Sequence, residues 1–372
     1  MKKFLIYVDP SNSNKYYNME LVGSTIKVEY GRVGVTTMTA SYPSSKWNSL
    51  LNSKLKKGYE DVTDLKTSVD VIIKESDNKD FNSFFDTFKQ YTGNFVKSAY
   101  SVEKCTAAQI KAAQEVINEL SLTNDLHKFN NSLISLFKII PRRMSNVSTY
   151  LLGNINDKNR IITREQDSLD AMDSLISINV NNPFEELNID FKEIDTPAHI
   201  KALFDMGNNG RYKIYKCYEV VDKTNIDSYN KWLSEQKNQT VLPLIHGTRN
   251  PNVFGILKTG LLIRPSNAAV ISGAAYGNGI YHSAHTTKSL GYTGYDSDKL
   301  FFIQDVHMGN MYEYSGWYRD GKGLDRNKMN YTDLKSMGYD SLFVKPGDGL
   351  LNSEYIVYNK EQSITKFLLH LK

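Results

Sequence analysis

Three short stretches in the C-terminal half of the chain set chemically useful side chains beside apolar runs that read as strands. In LIHGTRNPN, His246 follows Leu244 and Ile245 and precedes Gly247, so an imidazole and an open backbone stand together where a strand ends. In GNGIYHSAHTTKSLGY, residues 277–292, two glycines let a ligand approach the main chain, Tyr281 and Tyr292 each offer a ring face, and Ser289 offers a small hydroxyl. In LLNSEYIVYN, residues 350–359, Glu354 stands at the entry to a strongly apolar strand, where an unpaired buried carboxylate is costly. Each stretch also has a plainer reading. His246 alone fits a hydrogen-bonded structural histidine, the tyrosines fit a strand and short helix packed into a core, and Glu354 fits an exposed strand end. His246, His282, His285 and His307 match no zinc spacing, there is no G-x-S-x-G and no Walker loop, and Gly277 with Gly279 lacks the third glycine of a dinucleotide fold.

The elements that must hold these groups divide the chain into three regions. Residues 1 to about 70 read as short strands, FLIYV, TIKVEYGRVG and VTTMTASY, followed by a helix at SSKWNSLLNSKLKKG whose Trp47, Leu50, Leu51 and Leu55 recur at helical spacing. The next region carries amphipathic segments with almost no glycine: FNSFFDTFKQY, TAAQIKAAQEVINEL, LHKFNNSLISLFKII and REQDSLDAMDSLISI, broken at Pro141 and around Gly153, which predict a helical bundle. From Pro183 onward strands return, KIYKCYEVV, VLPLIHGT, GIYHSA, LFFIQDVHMG, SLFVK and SEYIVYN, and predict a mainly antiparallel sheet with one or two helices.

At 372 residues the chain is long enough for two or three domains, and with 40% hydrophobic residues it can bury a sizeable core. The formal charge of +4 is mild, but residues 1–58 hold nine Lys or Arg against three acids, so the positive field is concentrated at the N-terminal end. Such a surface is either a solvated lysine-rich face or a polyanion site. Two cysteines, Cys105 and Cys217, are too few for a disulfide scaffold or a four-cysteine zinc site and predict a reducing, intracellular setting. No run reaches the ~20 apolar residues that span a bilayer, and MKKFLIYVDP breaks at Asp9 and Pro10 before a signal-peptide core is complete.

Taken in order, HGTRNPN, GNGIY with KSLGY, and NSEYIVY resemble the donor-site signature of the poly(ADP-ribose) polymerase family of ADP-ribosyltransferases, a His, Tyr, Glu pattern. Upstream, AAQIKAAQEVINEL and SLFKIIPRRM resemble the helical regulatory domain that precedes the catalytic domain in DNA-dependent members. KVEYGRVG and the lysine-rich helix after it resemble the nucleic-acid-binding WGR module, with Tyr30, Gly31 and Arg32 at its motif. The resemblance implies a multidomain α+β chain: a WGR-like sheet and helix at 1–75, an all-α regulatory bundle at 76–182 and a mainly antiparallel ADP-ribosyltransferase fold at 183–372.

It also implies a reaction, in which ADP-ribose passes from NAD+, a co-substrate, to protein acceptors including the protein itself, with release of nicotinamide. That activity would be stimulated by DNA with strand breaks, as in a DNA damage response, without a metal and away from membranes. By the same resemblance Tyr281 and Tyr292 sandwich nicotinamide, Gly247 offers its N–H and C=O to the carboxamide, and Ser289 donates to the same group. His246 bonds the adenosine ribose with Thr248 beside it. Glu354 holds the nicotinamide ribose 2′-hydroxyl, favours the cationic transition state and polarises the acceptor hydroxyl. Tyr30, Arg32, Lys54, Lys56 and Lys57 become the nucleic-acid contacts, with Arg32 as a link to the helical region. The compartment is cytoplasm or nucleoid for a bacterial or phage chain and nucleus for a eukaryotic one. Two alternatives stand beside this reading, a mono-ADP-ribosyltransferase and an inactive nucleic-acid-binding or NAD-sensing protein, the second opposed by the joint presence of His246, Tyr281 and Glu354. Three departures from the family accompany it. Leu262 occupies a position where well-known members carry arginine, with Arg264 two residues on; the segment between KPG and LLNSEY is short; and Tyr30 replaces tryptophan.

Overall fold

Period-two alternation in the N-terminal segment produces β1 (Lys2–Asp9), β2 (Ser13–Val22), β3 (Thr25–Arg32) and β4 (Met38–Pro43), with the short β5 (Glu60–Asp61) closing an antiparallel sheet in the order β4-β3-β2-β1-β5. The computed structural model describes residues 1–35, 37–66, 78–88, 105–178, 187–263, 275–294, 297–314, 329–347 and 350–372. The chain resolves into two units, one built chiefly from Met1–Ile72 with Thr92–Val180, the other from Ile73–Tyr91, Asn181–Ser266 and Ile271–Lys372. The stretch 76–182 of the sequence reading is therefore shared between them.

In the first unit, one face of the sheet presents Leu5, Tyr17, Met19, Ile26 and Val28 to Trp47, Leu50 and Leu51 of α1 (Trp47–Lys56). The other face adds Ile6 and Val8 to a core made by α3 (Ala107–Leu122), α4 (Leu126–Ile139) and α5 (Lys158–Ile178), where Ala113, Ile117, Leu120, Phe129, Leu133, Phe137 and Ile162 are buried. Strands and helices here share one apolar cluster. Polar bonds hold the seam between them. The Arg32 guanidinium donates through Nε and Nη2 to the Met144 carbonyl at 3.1 and 2.8 Å, and through Nη1 and Nη2 to Asn12 at 2.9 and 2.7 Å. Asn14 donates to the Arg142 carbonyl at 2.9 Å, and Arg142 forks onto buried Glu165 at 3.0 and 2.6 Å. Burial pushes the Glu165 carboxyl up, but Arg142 and then Arg164 outweigh it and hold it below the usual carboxylate range.

Local signals set the helix ends. Thr106 and Gln109 form a reciprocal capping box on α3, at 3.1 Å from Gln109 N–H to Thr106 Oγ1 and 3.2 Å from Thr106 N–H to Gln109 Oε1. At the other end of α3 the Lys158 ammonium donates to the carbonyls of Ser121 and Thr123 at 3.2 and 2.9 Å.

The second unit begins with α2, residues 79–88, whose Phe84 lies 5.1 Å from Phe191 and 5.3 Å from Tyr218, ring centre to ring centre. The sequence reading extends this helix to Tyr91, and its last three residues lie outside the described ones. Two sheets follow. The first takes β6 (Ile189–Ile194), β7 (Ile214–Asp222), β8 (Val241–Gly247), β10 (Lys299–His307) and β14 (Ser363–Leu371) in the order β6-β7-β14-β10-β8. The second takes β9 (Ile280–His282), β11 (Met311–Tyr314), β12 (Ser341–Val344) and β13 (Glu354–Val357) in the order β11-β12-β13-β9, antiparallel except where β11 runs parallel to β12. Edge strand β8 of one sheet and edge strand β9 of the other meet through a backbone pair between Ile245 and Ser283. Among the described residues no helix is long and apolar enough to cross a membrane and no cluster of three or more His, Cys, Asp or Glu could hold a metal ion.

Thr106→Ala removes the acceptor of the capping box and should cost about 1 kcal/mol in urea unfolding, with Thr106→Ser restoring most of it. Equal loss in both variants would place the contribution of Thr106 elsewhere than in its hydroxyl.

Candidate active site

The proposed functional side chains gather where β8 and β9 part. Ile245 and Ser283 exchange backbone hydrogen bonds at 2.8 and 2.9 Å, and His246 and Gly247 leave the seam on one side while Tyr281 leaves it on the other. His246 Nδ1 lies 3.0 Å from the Tyr281 carbonyl oxygen, which only accepts, so Nδ1 carries the proton and Nε2 is the free acceptor. Burial lowers the affinity of His246 for a second proton, against the pull of the Tyr281 carbonyl. The His282 ring stands edge-on to it, 5.9 Å between centres, and its pKa is pushed well below the ordinary value, first by burial and then by His246.

Tyr281 is fixed at its far end. Its hydroxyl accepts from the Tyr276 N–H at 2.9 Å and donates to the Gly277 carbonyl at 2.8 Å. Gly277 has φ +80, and a Cβ there would lie 2.2 Å from the Met329 carbonyl oxygen, so the loop needs glycine on both counts. Burial raises the pKa of the Tyr281 phenol, and the nearby Glu354 carboxylate adds to the shift.

The short helix α9 (Thr286–Leu290) forms the opposite wall, anchored by Thr286 Oγ1 donating to the Phe204 carbonyl at 2.6 Å. Ser289 is buried on it, and a Cβ on Gly247 would lie 2.1 Å from the Ser289 carbonyl oxygen. Tyr292, just past α9, is 45% exposed and offers a ring to solvent. Thr248 is buried and accepts from Asn252 Nδ2 at 3.2 Å.

Glu354 opens β13 and is 5% exposed. Its Oε1 is 2.5 Å from the Lys288 ammonium, which also donates to the Asn352 carbonyl at 3.3 Å. Its Oε2 is buried without a hydrogen-bond partner among the described residues. His246, Gly247, Thr248, Tyr281, Ser289, Tyr292 and Glu354 thus all fall in the second unit on adjoining elements. Lys288 was missed from sequence: it stands beside Ser289 in KSLGY, but no local pattern ties it to Glu354.

The other candidates lie in the first unit. Tyr30 packs 5.8 Å from Tyr17, Lys54 Nζ stands 3.9 Å over the Tyr17 ring, and Lys56 and Lys57 are exposed. Leu262 is 40% exposed, and Arg264 falls outside the described residues.

The poly(ADP-ribose) polymerase catalytic domain matches residues 191–372, the stretch that holds the whole cleft. A putative poly(ADP-ribose) polymerase-like protein, 100L of Invertebrate iridescent virus 6, is 45% identical over 163 residues, covering 44% of this chain and 87% of its own length. The chain belongs to the poly(ADP-ribose) polymerase family. It is an NAD+ ADP-ribosyltransferase, and the cleft between β8 and β9 lies within its catalytic domain. An uncharacterized protein, 101L of the same virus, is 38% identical over 51% of this chain and 85% of its own length. Poly(ADP-ribose) polymerase 1 of Gallus gallus is 25% identical over 72% of this chain, which spans only 30% of that protein.

Two outcomes follow for the polymerase-family cleft. Gly247→Ala forces a methyl onto the Ser289 backbone and should cost about 1–3 kcal/mol of stability while weakening nicotinamide binding measured by calorimetry; unchanged binding would remove Gly247 from the ligand wall. The depressed pKa values of His246 and His282 mean that below the unfolded value of 6.5 the unfolded chain binds protons that the folded chain refuses, so stability falls as pH drops through that value. His282→Phe should shrink the loss of melting temperature between about pH 7.5 and about pH 5, and an undiminished loss would locate the acid sensitivity elsewhere.

Proposed function

We propose that the protein is a protein poly-ADP-ribosyltransferase stimulated by broken DNA, and that Glu354 is its catalytic carboxylate. The observation that carries the reading is the buried Oε2 of Glu354, which has no hydrogen-bond partner among the described residues, in a chain that belongs to an NAD+-using family. Tyr281 and Tyr292 would flank the nicotinamide ring, with the Gly247 backbone and the Ser289 hydroxyl on its carboxamide. His246 Nε2 would accept from an adenosine ribose hydroxyl, with Thr248 alongside. As the bond from ribose C1′ to nicotinamide breaks, its electron pair leaves with neutral nicotinamide and positive charge grows on the sugar, where an ionised carboxylate lowers the barrier. The acceptor oxygen bonds to C1′ and gives its proton to Glu354 Oε2, from which it passes to water.

In this reading the chain is organised as a WGR-like module at 1–75, a regulatory helical region within 76–182, whose 79–88 helix packs with the catalytic unit, and the catalytic domain at 183–372. DNA with strand breaks would meet the N-terminal module through Lys54, Lys56, Lys57, Tyr30 and Arg32. The carbonyls of Met144 and Ser145 held by Arg32 support its role as a link to the helical region. DNA would stimulate only by binding an open arrangement more tightly than a closed one. A second reading, transfer of a single ADP-ribose, draws on the short hairpin between β12 and β13, where Gly347 pairs with Leu350.

Incubation with labelled NAD+, with and without nicked duplex DNA, separates these readings on a gel. Wild type should label itself as a ladder that grows with DNA, and Glu354→Gln should lose elongation on the order of a hundredfold or more while still binding nicotinamide. A single sharp band would select mono-transfer, and a Glu354→Gln ladder equal to wild type would dismiss the carboxylate role.

A further inference from the structure

The loop that joins β8 to α8 (Val253–Thr259) carries Thr248 and, two residues on, an asparagine that the transfer scheme does not use. Arg249 beside it is exposed, whereas Asn250 turns inward and is 1% exposed. Its Nδ2 donates to the Asp298 carbonyl at 3.1 Å, and its Oδ1 is buried with no hydrogen-bond partner among the described residues. A buried amide that satisfies only its donor side carries a desolvation cost, so the one bond it makes is the interaction this position preserves.

Asp298 stands at the entry to β10, where the strand register sets Lys299 opposite Leu371 and Leu300 opposite His370 of β14. His370 donates from Nε2 to Asp298 Oδ2 at 2.7 Å, and the two residues are 3% and 7% exposed. Ser297 Oγ donates to Asp298 Oδ1 at 3.2 Å. The next residue, Lys299, donates to the Gly294 carbonyl at 2.8 Å, two residues past Tyr292. The start of β10 therefore holds both rims of the cleft: the loop after β8 through Asn250, and the turn after α9 through Gly294. Asn250 and His370 lie 48 and 72 residues from Asp298 in the chain, so the arrangement exists only in the folded unit.

We infer that Asn250, Asp298 and His370 are positioning residues for the donor: together they fix the loop 247–252 against β10 and so set the affinity for NAD+ without touching the reacting atoms. The inference rests on the reading that His246 and Thr248 meet the adenosine ribose. Side chains that meet a ligand act at full strength only when groups behind them hold their backbone in place. Nicotinamide, by contrast, meets the Gly247 backbone and Ser289, which the Ile245–Ser283 pair and the close approach of α9 hold independently of Asn250. Loss of the Asn250 bond therefore loosens the adenosine side of the cleft and leaves the nicotinamide side intact.

The test compares the wild-type chain with Asn250→Leu, His370→Leu, His370→Gln and His246→Ala by steady-state transfer from NAD+, with nicotinamide binding measured by calorimetry. Asn250→Leu should raise KM for NAD+ about tenfold, as for a buried hydrogen bond lost with its acceptor left behind, while kcat and nicotinamide affinity stay within about twofold. His370→Leu should show the same split, and His370→Gln, which can place an N–H near the Nε2 position, should recover most of the wild-type KM. An unchanged KM in Asn250→Leu would overturn the inference, as would NAD+ and nicotinamide affinity falling together in the folded variant, the mark of general damage to the unit. If Asn250→Leu does not fold, the His370 pair decides: a KM rise that glutamine reverses supports the positioning role, and equal effects of leucine and glutamine overturn it. His246→Ala with wild-type KM would instead bring down the assignment of this loop to the adenosine side, a result that the Asn250 and His370 variants alone do not produce.

Discussion

The backbone pair between Ile245 and Ser283 is the constraint on which the catalytic unit turns. Without it the second unit would hold two separate sheets; with it, β8 and β9 lie side by side for one pair of hydrogen bonds and then diverge. Divergence leaves backbone groups beyond the pair free of ladder partners, a cost that proteins accept where those groups meet a ligand. His246 uses the first of them, the Tyr281 carbonyl, and Gly247 follows with no side chain to fill the opening. Orientation of the imidazole, exposure of the Gly247 backbone and placement of the Tyr281 ring are three consequences of one junction.

Close approach is the second condition. The main chain of Gly247 passes so near Ser289 that any Cβ would overlap its carbonyl, which brings α9 against the end of β8. That contact sets Ser289 on the wall and, one residue before it, points Lys288 toward the strand that carries Glu354. A helix of five residues is too short to be stable alone, and its bond from Thr286 to Phe204 ties it to the unit.

Much of this was legible in the sequence because the cleft residues sit in three compact stretches whose order and residue types are distinctive. Strand ends marked by glycine, the apolar run EYIVY and the helical spacing of Trp47, Leu50 and Leu51 all correspond to elements of the fold. The misses have a common physical origin in long-range contact. The Lys288 to Glu354 pair joins residues far apart in the chain, and nothing local distinguishes Lys288 from any other helical lysine. The 79–88 helix reads from its periodicity like its neighbours further along the chain. Only the aromatic packing of Phe84 on Phe191 and Tyr218 shows that it belongs with the second unit. Arg32 is a different case: the resemblance marks it as a link to the helical region, and its donors are taken up by the Met144 and Ser145 carbonyls after α4 and by Asn12.

The central claim is that the opening beyond the Ile245–Ser283 pair is where the nicotinamide end of NAD+ sits. Titration of the isotopically labelled protein with nicotinamide, followed through backbone amide resonances, tests it most directly. Saturable shifts concentrated at Gly247, Tyr281, Ser289 and Tyr292 are the predicted result, and saturable shifts confined to residues away from β8, β9 and α9 would contradict it.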